Sequence, residues 1–246
     1  MAKIRADLLL VSRGLAESRA KAQAAIAAGG VTADGRVVAK ASEALDEACE
    51  LRAEPAHPYV GRGALKLVHA LELWPVAVTG AVVLDVGAST GGFTEVCLGR
   101  GASRVYAVDV GRGQLHPRLA RDPRVTALEG LDARALTAEL IPEPPSLVVC
   151  DASFIGLAKV LPAALSLAAP AAELIALVKP QFEVGPDVVG KGGLVRDPEA
   201  RAQALAGVVR YLSASGWTVL ATTASPILGG DGAVEYLLRA RKSRPD

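Results

Sequence analysis

The 246-residue chain is poor in the residue types that most often announce chemistry or cross-linking. It has three Cys (Cys49, Cys97, Cys150) and no Cys-x-x-Cys pair, so neither a disulfide framework nor a zinc ribbon is expected. Its three His residues (His57, His69, His116) are scattered, no ligand-spaced cluster forms, and no metal is expected. Aromatic residues make up only 4%, which leaves the apolar fraction of 51% to Ala, Leu and Val. An excess of one charge is also missing: 27 Lys+Arg stand against 26 Asp+Glu, a net charge of +1. On average that argues against a generic polyanion binder. Long apolar runs are lacking too. The best one, from Val160 to Val178, is interrupted by Pro162, Pro170 and Glu173, whereas a bilayer span needs roughly 20 unbroken apolar residues. The first residues hold Asp7 where a secretory signal would need an apolar core. The composition is nevertheless too apolar for disorder. A soluble cytoplasmic protein without membrane contact is expected, built as one large domain or as a standard domain plus a small one.

The near-zero total hides an asymmetry. Residues 1–40 carry seven basic and three acidic side chains, whereas residues 41–60 carry one and five. The first forty residues are therefore a basic unit at +4, followed by an acidic stretch at −4. Leu8, Leu9, Val11 and Leu15 suggest a short helix that Gly14 ends or bends. Ser18 reads as the N-cap of a second helix that stops at Gly29-Gly30. Val31-Thr32 and Val37-Val38 flank Asp34-Gly35, a hairpin signal. The acidic run and His57-Pro58 read as the exit from this unit, with a boundary at residue 60 separating domains 1–60 and 61–246.

Arg5-x-Asp7, Leu9, Gly14-Leu15, Ser18-Arg19-x-x-Ala22, Ile26, Gly29, Val31, Asp34-Gly35 and Lys40 together resemble the small α+β RNA-binding domain named after ribosomal protein S-four. The resemblance implies that one basic face, with Arg5, Arg19, Lys21 and Lys40, meets structured RNA. Arg62, on the rim of the second domain, is expected to join them.

Beyond residue 80 the pattern changes. The runs 81–85, 105–109, 147–151 and 174–179 are apolar and end in Asp85, Asp109, Asp151 and Lys179. Continuous apolar strands suit a parallel sheet covered on both faces, which binds its ligand at the carboxyl ends of the strands. The first strand runs into Asp85-Val-Gly87-Ala-Ser89-Thr90-Gly91-Gly92-Phe93. A dinucleotide fingerprint would want glycine where Ser89 stands. The spacing instead matches the first motif of S-adenosylmethionine-dependent methyltransferases, and a Rossmann-like, mostly parallel sheet of seven strands is expected. Asp109 is placed to accept hydrogen bonds from ribose hydroxyls, with Val110 and Asp132 beside it. Asp85 would meet the cofactor's amino group directly or through water.

The acceptor is constrained by what is missing at Asp151-Ala152-Ser153-Phe154: the proline pair that amine methyltransferases use there. Cys150 follows Val149 inside a strand rather than a proline, which disfavours carbon-5 cytosine chemistry. Lys66, Asp151, Lys179 and Glu235 remain. Each has a plain reading alone: lysines at strand ends are often solvated, and Glu235 could pair with Arg239. In this order, however, they resemble the Lys-Asp-Lys-Glu tetrad of FtsJ-type ribose 2′-O-methyltransferases.

The strings 85–94, 105–115, 151–155, 177–183, 192–197 and 225–227 resemble the TlyA family over essentially the whole chain. That family joins the same RNA-binding module to an FtsJ-like domain, and its members, first labelled haemolysins, methylate cytidine ribose 2′-hydroxyls in ribosomal RNA. The resemblance implies rRNA or a ribosomal subunit as partner, a monomer, and no metal. Lys179 would steer the 2′-oxygen as a neutral base or as a positive charge. Asp151 would orient Lys179 or sit near the methyl donor, while Lys66 and Glu235 hold the ribose-phosphate. The segment 180–196 reads as a long loop that closes on RNA. The chain departs from the family pattern at Gly61-Arg62-Gly63-Ala64, at His57-Pro58-Tyr59-Val60 and at Ala233. A non-catalytic assembly factor, a base methyltransferase and a membrane-active haemolysin are the competing readings.

Overall fold

The computed structural model describes residues 3–54, 56–229 and 232–243. Gly230 and Asp231, the middle of the glycine-rich turn before Glu235, therefore lie outside the described residues. The chain divides into two compact units, Met1–Pro58 and Tyr59–Asp246.

In the first unit β1 (Lys3–Arg5) leads into α1 (Ala6–Ser12), and α2 (Arg19–Ala27) follows. Gly14, at φ +68°, turns the chain out of α1. The Ser18 hydroxyl caps α2 by accepting from Lys21 N at 3.3 Å. Strands β2 (Val31–Ala33) and β3 (Arg36–Val37) form the expected hairpin. Asp34 and Gly35 both have positive φ, as a two-residue turn matching strand twist requires. The acidic stretch is more than an exit. Within it β4 (Ala44–Asp46) pairs with β1 and β5 (Leu51–Ala53) with β2. Leu45 and Leu51 are buried there against Leu9, Ile26 and Val31, apolar anchors that the surrounding acids mask in the sequence.

One carboxylate ties the helices of this unit. Asp7 is fully buried and accepts from Arg5 Nε and Nη2 at 3.0 Å, Arg19 Nε at 2.8 Å, Gln23 Nε2 at 2.8 Å and its neighbour's amide, Leu8 N, at 3.1 Å. These donors hold its acid well below the usual carboxylate range, the Arg5 hydrogen bonds foremost.

In the second unit α3 (Ala64–Leu73) precedes β6 (Val82–Val86), α4 (Gly92–Gly99), β7 (Arg104–Asp109), α5 (Pro117–Ala120) and β8 (Val125–Glu129). Next come β9 (Leu147–Cys150), α6 (Leu157–Val160), α7 (Pro162–Leu167), β10 (Glu173–Val178) and α8 (Pro180–Glu183). The chain then forms α9 (Pro198–Ala214), β11 (Trp217–Ala224) and β12 (Tyr236–Lys242). The seven strands lie in the order β11-β12-β10-β9-β6-β7-β8. Only β12 runs against the others, pairing antiparallel with both β10 and β11. Segment 180–196 is partly structured, holding α8 and a 3-10 turn at Pro186–Val188. Proline at the first position of each turn presets its backbone angle.

Alternation along the strands explains the core. Leu84, Val86, Val108, Val148 and Leu174 face one apolar cluster with Leu157, Leu161, Val208 and Leu212. Val83, Val105, Leu147, Val149 and Ile175 face the other, with Leu67, Phe93, Val96 and Leu119. Successive side chains point to opposite faces, so a run of apolar residues is what a doubly covered sheet demands. Among the described residues no helix is long and apolar enough to cross a membrane.

The sheet also buries one acid. Asp85 has no exposed surface. Its Oδ2 accepts from Thr94 Oγ1 at 2.6 Å, and its Oδ1 meets no donor among the described residues. Burial pushes this carboxyl up to about 7, against the Thr94 hydrogen bond and with the help of the Asp151 charge.

Two outcomes follow from these buried carboxylates. Asp7→Ala should cost the first unit about 2 kcal/mol, a value reduced for the solvent around the half-exposed guanidiniums, read as faster hydrogen exchange in α1 and α2 of the full chain. Folded Asp85 keeps its proton to about pH 7, whereas an unfolded Asp loses it near pH 4. The folded state thus binds more protons in that window, and its stability should fall as pH rises through it. Urea unfolding followed by Trp fluorescence reports this unit, since Trp74 and Trp217 both belong to it. Asp85→Asn should remove that part of the slope.

Candidate active site

The carboxyl ends of the parallel strands carry the site. After β6 the chain turns through Gly87 at φ +83°, where a Cβ would stand 2.9 Å from the Ala152 backbone. Only glycine fits so close an approach. Ser89, where a dinucleotide site would have its second glycine, takes φ +47°. Its amide donates to Asp109 Oδ2 at 2.8 Å, while Gly111 N donates to Oδ1 at 2.7 Å. Asp109 thus braces the turn from the end of β7, with lone pairs left for a ligand.

Beside this turn lies a cavity of about 430 Å³. Val86, Val108, Leu131 and Val160 form its apolar walls, Asp109, Asp132 and Gln114 its polar groups, and no Lys or Arg lines it. Val110 stands at the mouth, 71% exposed. Asp132 caps the 3-10 turn Ala133–Ala135 and pairs with Arg134 at 2.6 Å, which lowers its acid below the usual range. A smaller cavity of about 210 Å³ is lined by Arg62, Gly63, Thr90, Gly92, Phe93 and Lys179 among others. The two share Gly87, Ser89, Asp151 and Ser153. Gly91 and Asp85 line neither. Gly91, at φ +95°, lets α4 start against Leu115 and Leu119, and Asp85 is sealed beneath the turn.

The four tetrad residues come from four elements and meet as one chain of alternating charge. Glu235, just before β12, pairs with Lys66 of α3, Oε2 to Nζ 2.5 Å. Lys66 Nζ lies 3.8 Å from Asp151 Oδ2, after β9, and Asp151 Oδ1 lies 2.6 Å from Lys179 Nζ, after β10. Lys179 also donates to Asp151 O at 3.1 Å and to Ser153 Oγ at 2.8 Å. Lys66, Lys179 and Glu235 are buried, and Asp151 is nearly so. Glycines make the room: a Cβ on Gly63 would stand 3.2 Å from Asp151 Oδ2, and one on Gly229 would overlap the Glu235 carboxylate. Glu235 therefore does not pair with Arg239, which is held by Glu173 at 2.8 Å. Burial and mutual pairing leave Lys66 and Glu235 little exposed surface.

Ser153 and Phe154 are the residues that sequence reasoning passed over. Phe154 is 91% exposed at φ +65°, on the larger cavity, with its ring centroid 5.3 Å from that of Phe182. The absent proline pair drew notice away from what stands in its place. Of the basic residues expected to meet RNA, Arg5 and Arg19 are held by Asp7, and Lys21 pairs with Glu17 at 2.7 Å. Lys40 is exposed. Arg62 is exposed beside the smaller cavity, reaching Leu228 O at 3.4 Å.

The sequence profile of FtsJ-like methyltransferases matches residues 59–242, and that of the S4 domain matches residues 4–48. A protein of Mycobacterium tuberculosis named 16S/23S rRNA (cytidine-2′-O)-methyltransferase TlyA is 48% identical over 241 residues, 97% of this chain and 90% of its own. Hemolysin A of Brachyspira hyodysenteriae is 36% identical over 95% of this chain and 98% of its own. A solved structure from Streptococcus thermophilus, also named a hemolysin, superposes with a TM-score of 0.78 at 38% identity, covering 100% of this chain and 90% of that one. With its cavity, its charge chain and these likenesses together, the chain belongs to the TlyA family of FtsJ-like methyltransferases.

Proposed function

We propose that the protein methylates the ribose 2′-hydroxyl of a cytidine in ribosomal RNA, with S-adenosylmethionine as methyl donor. The observation that carries this reading is the buried chain Glu235–Lys66–Asp151–Lys179 ending beside the glycine-turn cavity. The cytidine and the rRNA come from the names of the relatives. An rRNA substrate implies action in the cytoplasm, and a monomer suffices, since one chain supplies all four residues.

The cavity suits this cofactor. Apolar walls take a nucleoside base, and carboxylates at strand ends accept from ribose hydroxyls, as Asp109 and Asp132 are placed to do. A dinucleotide turn would have glycine where Ser89 stands. The smaller cavity, with Arg62 and the 61–63 turn, suits the charged amino-acid end. Bound there, S-adenosylmethionine supplies a methyl on a sulfonium, already activated toward a weak nucleophile.

What remains for the protein is placement and charge. Lys179 directs the 2′-oxygen, and its positive charge favours loss of the hydroxyl proton to solvent water and stabilises the developing oxyanion. Asp151 fixes Lys179 from two sides, through its carboxylate and its carbonyl. Glu235 and Lys66 fix Asp151 in turn, because a buried charge must stay paired. Other acceptors fit poorly. Burial pushes the Cys150 thiol up to about 12, so it supplies no thiolate for attack on a pyrimidine ring.

Lys179→Ala should abolish methyl transfer to undermethylated ribosomal subunits while cofactor affinity by calorimetry stays within a few-fold. Digestion of the wild-type product to nucleosides should give 2′-O-methylcytidine by mass spectrometry; a base-methylated product would exclude the ribose reading. RNA binding should show the salt dependence of only about 3–5 phosphate contacts, with Lys40→Ala lowering the log–log slope by about one.

A further inference from the structure

The Lys179 ammonium donates to Asp151 O at 3.1 Å and to Ser153 Oγ at 2.8 Å, and Asp151 Oδ1 lies against it at 2.6 Å as an ion-pair partner without hydrogen-bond geometry. Lys179 is itself buried, so an incoming hydroxyl has to reach it past one of these three oxygens. One partner must give way when substrate arrives. The two Asp151 atoms are poor candidates. The Asp151 amide donates to Val86 O at 3.1 Å, Ala152 behind it is buried against Gly87, and the carboxylate faces Lys66. Ser153 is different. It is exposed, its hydroxyl makes no other hydrogen bond among the described residues, and it lines both cavities at the place where they meet.

We propose that the Ser153 hydroxyl is a placeholder for the substrate's ribose 2′-hydroxyl, occupying on Lys179 the site that the 2′-oxygen takes over when RNA binds. The two groups are equivalent ligands, each an alcohol oxygen accepting from the ammonium. Without RNA, the serine supplies one of the buried cation's two hydrogen bonds, which avoids the cost of leaving that donor unsatisfied. On exchange, Lys179 gives up one hydrogen bond and gains another. Ser153 turns to solvent, and the Asp151 contacts stay in place. Ser153 is therefore a positioning residue for the free enzyme and a competitor of the substrate, in contrast to Asp151, which serves both states.

This inference rests on the reading of Lys179 as the group that receives the 2′-oxygen, and the test separates the two. Steady-state methyl transfer is measured with labelled S-adenosylmethionine and ribosomal subunits from a strain lacking the modification. Ser153→Ala should leave kcat within about twofold and lower KM for the subunit roughly two- to tenfold, because no internal partner must be displaced and a net hydrogen bond amounts to about that factor. Ser153→Thr, which keeps the hydroxyl, should restore the wild-type KM. A fall in kcat at unchanged KM, recovered by Ser153→Thr, would show that the serine stays on Lys179 during transfer and would overturn the proposal. Both constants unmoved in Ser153→Ala would overturn it as well. Full activity in Lys179→Ala would instead remove the reading of Lys179 itself, whatever the serine variants do.

Discussion

Four ionic side chains in a largely dry place have to alternate in sign, and most of the catalytic unit can be understood from that requirement. Glu235, Lys66, Asp151 and Lys179 are drawn from α3, from the ends of β9 and β10 and from the start of β12. An isolated charge among them would be too costly to keep, so each element must arrive in register for any of the others to be tolerable. Glycines at 63 and 229 stand where a side chain would push a carboxylate out of line. The first unit obeys the same rule on a smaller scale, with a single buried carboxylate gathering Arg5, Arg19 and Gln23.

Lys179 lines the smaller cavity, and Asp151 lines both. Lys66 and Glu235 are buried, and Lys66 is the one that faces Asp151. The cofactor cavity is governed by other physics: a backbone turn that tolerates no Cβ at Gly87, apolar walls, and carboxylates whose partners are main-chain amides or an adjacent arginine.

Much of this was legible in the residues. Apolar runs ending in Asp109, Asp151 and Lys179 marked both the parallel strands and their active edge, because continuous apolarity is demanded of strands covered on two sides. The Asp-Gly hairpin and the Ser18 cap were legible for similarly local reasons. What escaped was non-local. β4 and β5 lie in a run of acids, and only their pairing with β1 and β2 reveals the buried Leu45 and Leu51. The burial of Asp85 depends on Thr94 and α4 closing over it, which spacing alone does not convey. Ser153 escaped because its importance lies in a hydrogen bond to a lysine 26 residues away.

The direction of β12 carries a consequence for the life of the chain. Since that strand runs against its neighbours, its beginning, rather than its end, lies at the active edge, and Glu235 reaches Lys66 across 169 residues of sequence. Until β12 is made, β11 has no neighbour in the sheet, since it joins β10 only through β12, and Lys66 lacks its Glu235 partner. The closing of the sheet and the closing of the charge chain are thus a single event, carried by one strand.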